Sequence, residues 1–311
     1  MRYMFKKGSK ISKDEASILS KRTTGEKILF GIMFGVFSLY AIALVFPLIL
    51  LIINSLKDPL YKILADLNGI SPFALPDVWH FENYIEVFGY QVASTSGKMT
   101  NIAQMFLYSL YFSVTQVLIP VFTCTCVGYV LSKYEFKGSN FIYAVIITTM
   151  TIPVVGTGAS ALKLAHDLGT YDNPIMDIIT HFTGYGFNFM VMYGFFKNVS
   201  WSYAEAVLID GGDDFDAFFK VMLPQATSAI ITICIISFIS VWNNYERPLI
   251  YFPSYPPLAA GLYMLKREAM NDANAPFYFA GLVFATLPLC VVYAMFSETI
   301  FKNFSVGGLK G

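Results

Sequence analysis

Charge is what this sequence has least of. Only 14% of its 311 residues are Asp, Glu, Lys or Arg, where a soluble domain carries roughly a quarter. So few ionic groups cannot cover a globule, which excludes an ordinary soluble fold. With 56% apolar residues and a mean hydropathy of +0.56, intrinsic disorder is excluded too. The 21 basic residues are matched by 21 acidic ones, so no bulk field draws in a nucleic acid or another polyanion. Cysteine is scarce: Cys124, Cys126, Cys234 and Cys290 all lie in apolar stretches, where a thiol behaves as a small hydrophobe. A spacing of two puts Cys124 and Cys126 on different helix faces, which disfavours a metal pair or a disulfide. Three histidines, His80, His166 and His181, are too few and too dispersed to assemble an embedded catalytic centre. No G-x-x-x-x-G-K-[ST] run occurs, and Gly156-Thr157-Gly158 lacks the lysine that reaches the β- and γ-phosphates. The chain therefore does not hold ATP through a phosphate loop.

What is present is a series of long windows without a single formal charge: 28–56, 99–132, 138–162, 178–196, 221–245 and 273–297. A helix needs about 20 apolar residues to cross a bilayer core. These windows predict an all-α polytopic membrane protein with six transmembrane helices. The first is far longer than a signal-peptide apolar core and runs into Asn54-Ser55-Leu56-Lys57 without a small-residue cleavage site, so it reads as a retained span. Residues 1–27 read as a basic cytoplasmic tail, with Arg2, Lys6, Lys7, Lys10, Lys13, Lys21, Arg22 and Lys27, because basic residues beside a span stay inside. Six crossings return Lys302 and Lys310 to the same side, so both termini are expected in the cytoplasm. Residues 28–311 then form one transmembrane domain. Window 248–265 is also charge-free, but Pro248, Pro253, Pro256 and Pro257 bar a lipid-exposed helix. It is expected to be part of an outer loop running to Pro276. Within the other large outer segment, 81–88 reads as a short amphipathic helix at the surface.

The segment with most to say is the loop 197–225, between the fourth and fifth crossings. It is too long for a turn, since compact connections take about 2–8 residues. Lys197 and Lys220 face Glu205, Asp210, Asp213, Asp214 and Asp216, a net charge of −3. Ser202-Tyr203-Ala204-Glu205 has capping-box spacing and is expected to start a helix. Gly211-Gly212 supplies the left-handed positions that end it. Asp213 or Asp214 caps a second helix whose Phe215, Phe218 and Phe219 form an apolar stripe. Leu223-Pro224 hands the chain to the fifth crossing, with proline in a tolerated first turn. A helix–Gly–helix knuckle of this kind suits docking into a groove on a cytosolic partner.

These residues carry a resemblance. Glu205-Ala206-Val207, Gly211 and Val221-Met222-Leu223-Pro224 resemble the EAA loop of ATP-binding-cassette importer permeases, E-A-A-x3-G-x9-I-x-L-P. Val207 and Val221 are conservative departures, and Asp210-Gly211-Gly212 stands for the usual Asp-Gly-Ala. The chain is similar along most of its length to the second permease subunit of maltose-type carbohydrate importers. The matching stretches are Ser55-Leu56-Lys57, Asn83-Tyr84, Tyr129-Val130-Leu131-Ser132-Lys133, Ile152-Pro153, Trp242-Asn243-Asn244 and Gly307-Gly308-Leu309-Lys310-Gly311. The resemblance implies a non-catalytic subunit in a bacterial plasma membrane. It implies a heterodimer with a second homologous permease, two ATPase subunits that hold ATP and Mg, an extracytoplasmic solute-binding protein, and a carbohydrate as cargo. It gives Glu205, Ala206, Asp210, Gly211, Gly212, Leu223 and Pro224 the role of coupling to the ATPase. On spacing alone Glu205 has another use, as the third residue of its own capping box.

Elsewhere the readings compete. Pro153 and Gly156 break the third crossing; such backbone survives where helices pack closely through small residues or where it lines a path. Trp242 near the end of the fifth crossing is expected to anchor at the interface. Asn243 and Asn244 are costly in lipid and are expected to face protein or cavity, which makes them candidates for the translocation path. Asp177 and His181, four apart, are expected to form a local pair near the outer headgroups, with Glu246 and Arg247 as boundary charges. The rival function is a proton- or ion-coupled secondary transporter working without an ATPase, which would place such a pair at the midplane.

Overall fold

The computed structural model describes residues 24–58, 73–152, 156–182, 185–269 and 275–306. The first 23 residues of the predicted basic tail, Pro153 and the terminal Gly307–Gly311 motif lie outside these. The chain divides into two units, Met1–Ile53 and Asn54–Gly311. The first is the body of helix α1 (Thr24–Ser55), 32 residues with a mean hydropathy of 2.8. At 1.5 Å per residue it is about 48 Å long, more than a bilayer core requires.

The second unit begins with a knot between two motifs far apart in sequence. The Asn83 side chain donates to the carbonyls of Ser55 (2.9 Å) and Lys57 (2.8 Å). The Ser55 and Tyr84 hydroxyls meet at 2.6 Å. Asn83 opens the short helix α2 (Asn83–Gly89), which buries Val87 and leaves Ile85 exposed, so the amphipathic helix expected at 81–88 is present but starts at Asn83, after a turn at Phe81 and Glu82. Strands β1 (Gln91–Ala93) and β2 (Met99–Asn101) then form an antiparallel hairpin, a small exception to the all-helical expectation. Asn101 and Gln104 make a reciprocal capping box that starts α3 (Ile102–Lys133), the 32-residue spine of the unit.

The predicted third and fourth crossings are not single helices. Window 138–162 holds α4 (Ser139–Thr151), only 13 residues, and the start of α5 (Gly158–Asp167), separated by Gly156 at φ 80°. Window 178–196 is divided between α6 (Pro174–His181) and α7 (Phe187–Asn198). Helix α7 lies against α3 so closely that a Cβ on Gly128 would come 3.0 Å from the Tyr193 backbone nitrogen. There follow α8 (Ser202–Ile209), α9 (Asp214–Gln225), α10 (Thr227–Trp242), α11 (Glu246–Tyr251), α12 (Leu258–Ala269) and α13 (Ala275–Val306). Among the described residues, α1, α3 and α13 are each long and apolar enough to cross a membrane, and α9 with α10, bent by 68°, make a fourth candidate.

Two apolar clusters sit at opposite ends of α3. At its start, Ile102 and Met105 pack with Val87, Trp242, Leu258 and Leu265. Toward its end, Val121 and Tyr129 pack with Phe196, Phe218 and Met222. The first cluster corrects the reading of 248–276 as an outer loop. Prolines 248, 253, 256 and 257 bar a lipid-exposed span but not a helix that starts after Pro257. Helix α12 is such a helix, with Leu258, Ala260, Leu262 and Leu265 buried. Its first amide is satisfied by the Ser109 hydroxyl of α3 at 2.7 Å.

Candidate functional site

The loop 197–225 folds as an elbow of two short helices. Its first arm, α8, does not begin with a Ser202 capping box. The cap position is Trp201, which makes no side-chain cap, and the Ser202 amide instead donates to the Ser200 hydroxyl at 3.3 Å. Glu205 is thereby released from the box and stands exposed in the first turn. The arm ends as expected. Gly211 has φ 86°, a conformation that costs a residue with a Cβ about 1–2 kcal/mol. The Gly212 amide then donates back to the Val207 carbonyl at 2.9 Å. A Cβ on Gly212 would lie 2.7 Å from the Val207 side chain, so both glycines are required, for different reasons.

The second arm is capped by Asp213, whose carboxylate accepts from the Asp216 amide at 2.8 Å. Its middle, Ala217–Met222, is a π-helix, and the wider turn breaks the predicted phenylalanine stripe. Phe218 alone is buried, tilted against Tyr129 at 4.8 Å, while Phe215 is 73% exposed and Phe219 is also exposed. Leu223 and Pro224 sit in the last turn before the bend into α10, with Leu223 half-buried and Pro224 exposed.

The elbow thus has a buried base and a free rim. Ala204, Ala217, Phe218 and Met222 form the base against α3 and α7. The rim shows Tyr203, Ile209 (84% exposed) and Phe215 beside the carboxylates of Glu205, Asp210, Asp213 and Asp214. Ala206 is exposed on the same arm. The one basic residue of the second arm, Lys220, is tied to Asp216 at 2.7 Å, a bond that holds its ammonium above the usual lysine range. The rim is consequently apolar and acidic, chemistry complementary to basic groups around an apolar slot.

The far end holds the other candidates. Among the described residues Gly156 would meet nothing within 4 Å if it carried a Cβ, and its φ of 80° makes it a left-handed turn. Trp242 is no interface anchor: it is 4% exposed and donates through Nε1 to the Ala285 carbonyl at 3.0 Å. Its neighbour Asn243 is exposed and folds back on the Ile239 carbonyl at 2.8 Å. Asn244 accepts from the Arg247 amide in the first turn of α11 at 3.2 Å and borders a narrow cleft with Ser109, Gln116 and Pro257. Pro153 lies outside the described residues. Asp177 and His181 share a helix face as expected, 3.3 Å apart. The pair is part of a buried cluster of three: Asp177 is 3% exposed and also accepts from the Arg247 guanidinium at 2.8 Å.

With this geometry in place, the comparison with known families is decisive. Residues 124–304 match the model for the binding-protein-dependent transport system inner membrane component. The chain belongs to that family. It is 27% identical over 275 residues to the diacetylchitobiose uptake system permease protein NgcG of Streptomyces coelicolor, covering 88% of this chain and 86% of that one. It is 27% identical over 289 residues to the arabinooligosaccharides transport system permease protein AraQ of Bacillus subtilis, covering 88% and 98%. In three dimensions it superposes on a chain in the crystal structure of a bacterial ABC transporter involved in the import of the acidic polysaccharide alginate, with a TM-score of 0.72. That pair is 20% identical, and the match covers 89% of this chain and 98% of the other, which establishes a shared fold.

As a transport-system inner membrane component, the protein is a multi-pass permease subunit serving a solute-binding protein, and the family match takes in the whole elbow. One pairing and one residue of this permease escaped sequence reasoning. Arg247, expected as a boundary charge, lies 70 positions from its partner Asp177, and nothing local announces the pairing. Tyr134, just beyond α3, donates its hydroxyl to Asp214 at 2.8 Å and presents its ring edge-on to Trp201 at 5.4 Å. Burial chiefly, with the neighbouring Tyr129 hydroxyl and Asp214 carboxylate, pushes the Tyr134 phenol well above its ordinary range. The sequence motif Tyr129–Lys133 could have pointed to this region: Tyr129 supports Phe218, and the Lys133 ammonium donates to the Val199 carbonyl at the elbow's entrance.

Proposed function

We propose that this permease is one half of an ATP-driven importer for a carbohydrate, and that residues 197–225 are the handle by which ATPase subunits move it. Its relatives are named for diacetylchitobiose and arabinooligosaccharide uptake, which favours a short oligosaccharide as cargo. The observation that carries the docking role is the elbow's contrast between base and rim. Apolar side chains as large as Ile209 and Phe215 stand exposed between carboxylates, on two arms whose roots are immobilised in the core. Such a surface is expensive to leave bare and rigid enough to transmit force.

In this arrangement residues 28–311 form six crossings with both termini in the cytoplasm, and the fourth and fifth flank the elbow. The broken windows 138–162 and 178–196 cross as helix pairs, their irregular backbone covered by a second homologous permease. Glu205, Ala206, Asp210, Gly211 and Gly212 meet the ATPase, while Leu223 and Pro224 convey its motion into α10. ATP and Mg belong to two partner ATPase subunits, and no cofactor is assigned to this chain. Pro153, Gly156, Asn243 and Asn244 remain the candidates for the path. Closure of the ATPases brings the two elbows together and opens the cavity outward.

The test is reconstitution with the cognate ATPase and binding protein. Glu205→Ala and Gly211→Leu are expected to reach the membrane in normal amount but to lose binding-protein-stimulated ATP hydrolysis. Full transport by both variants would remove the docking role. Transport by the isolated chain driven by a proton gradient would instead favour a secondary transporter.

A further inference from the structure

Both arms of the elbow are held by the same few residues at the end of α3. Lys133 binds the Val199 carbonyl on the way in. Tyr134 packs its ring on Trp201, which precedes the first arm, and gives its hydroxyl to Asp214, which opens the second. Tyr129 seats Phe218 and lies 3.4 Å, hydroxyl to hydroxyl, from Tyr134. At the opposite end of the same helix, Ser109 binds the Leu258 amide, and Met105 fills the space beside Gly261 of α12. Helix α3 runs unbroken from Ile102 to Lys133 with Pro120 inside it, and it is packed at both ends, so whatever it is clasped to at one end it can shift at the other.

We propose that Tyr134 is a positioning residue for coupling: its hydroxyl, bonded to Asp214, fixes the second arm to α3, so that displacement of the elbow reaches α12 at the far end. This rests on the reading of the elbow as the ATPase dock. The bond joins a phenol to a carboxylate, the stronger kind of hydrogen bond, and it lies beside the most exposed aromatic of the rim, Phe215. Without it the second arm remains rooted by Phe218 and Met222, but its leading turn is free to tilt against α3. The ATPase would then move the rim without moving the helix behind it.

The experiment uses the intact complex, purified through this chain and placed in nanodiscs, with ATP, Mg and vanadate as the trapping probe. Amide hydrogen exchange is read over 248–269, at the end of α3 away from the elbow, with and without trapping. The wild type is expected to change protection there on trapping. Tyr134→Phe keeps the ring against Trp201 and Tyr129, and is expected to trap nucleotide normally while its response at 248–269 falls at least threefold. Asp214→Asn retains the acceptor oxygen and is expected to respond as the wild type does. Asp214→Ala should match Tyr134→Phe, and the double variant should be no worse than either. Loss of protection at 248–269 in untrapped Tyr134→Phe would assign the residue a merely structural role and overturn the proposal, as would a full response by that variant. Ile209→Asp, on the rim, separates the two readings. If it leaves the ATPase bound, the dock itself is misplaced. If it releases the ATPase while Tyr134→Phe responds fully, only the clasp is wrong.

Discussion

The elbow at 197–225 and the segment 246–269 are alike in plan, each a pair of short helices inserted beside a span, and opposite in physics. The elbow buries its root and exposes its apolar crest, with Ile209 and Phe215 among the most exposed large apolar side chains of the described residues. The 246–269 segment turns Leu258, Leu262 and Leu265 inward, in one cluster with the start of α3 and Trp242, though Ile250 and Tyr263 stay exposed, and its one bridging charge, Arg247, is committed to a buried carboxylate. Among the described residues one segment leaves its apolar crest uncovered; the other is already the packed floor of its own end. In the proposed reading the exposed surface serves docking in the first case, and the buried surface serves stability in the second.

Substitutions can break this contrast, and the largest effect is expected at Arg247. Arg247→Met strips the 3%-exposed Asp177 of its guanidinium and leaves a buried carboxylate with only His181 and the Thr180 hydroxyl, which should cost about 3–5 kcal/mol. Thermal unfolding of the purified complex reads this directly, and an unchanged midpoint would mean that water reaches the cluster. Leu265→Ala, at a fully buried position of α12, is expected to destabilise by about 2–5 kcal/mol, by loss of apolar burial plus the cavity left behind. A loss of only a few tenths in the same assay would return α12 to the status of a loop. Next comes Gly211→Val, which forces a β-branched residue to φ 86° for about 1–2 kcal/mol. Its main result should be loss of coupling, measured as binding-protein-stimulated ATP hydrolysis. The smallest stability effect, within about 0.5 kcal/mol, is expected for Ile209→Asp, since the side chain is 84% exposed. The same change should release the ATPase on gel filtration. A rim variant that unfolds the protein, or an α12 variant that spares it while blocking ATPase binding, would reverse the comparison.

How far the sequence could be read depended on the range of the interaction. The Asp213 cap and the Gly211 turn were legible because each is decided within three or four residues. The Ser202 capping box was not, although it too is local, because Ser200 competes for the same amide and Trp201 is drawn to Tyr134 across the fold. The phenylalanine stripe failed at Phe215 for a backbone reason: the π-turn at Ala217–Met222 alters the spacing that an α-helical wheel assumes. Trp242 looked like an interface anchor because hydropathy records that an indole ends a span, not that Ala285 offers it a carbonyl. The four prolines between 248 and 257 were rightly taken to bar a lipid-exposed span, but they are silent about a helix that starts just beyond them.

The order of residues alone determined that this chain is a membrane protein, where α1, α3 and α13 run, and that an acidic, glycine-hinged insertion interrupts it. Each of these follows from local composition and spacing, on which the cost of burying charge and the conformational freedom of glycine act directly. Only the tertiary structure decided which end of the molecule is closed upon itself and which is left open. Asp177 and Arg247, Tyr134 and Asp214, and Ser109 and Leu258 are brought together by packing over separations of 70, 80 and 149 residues. At such distances no local preference can specify a partner.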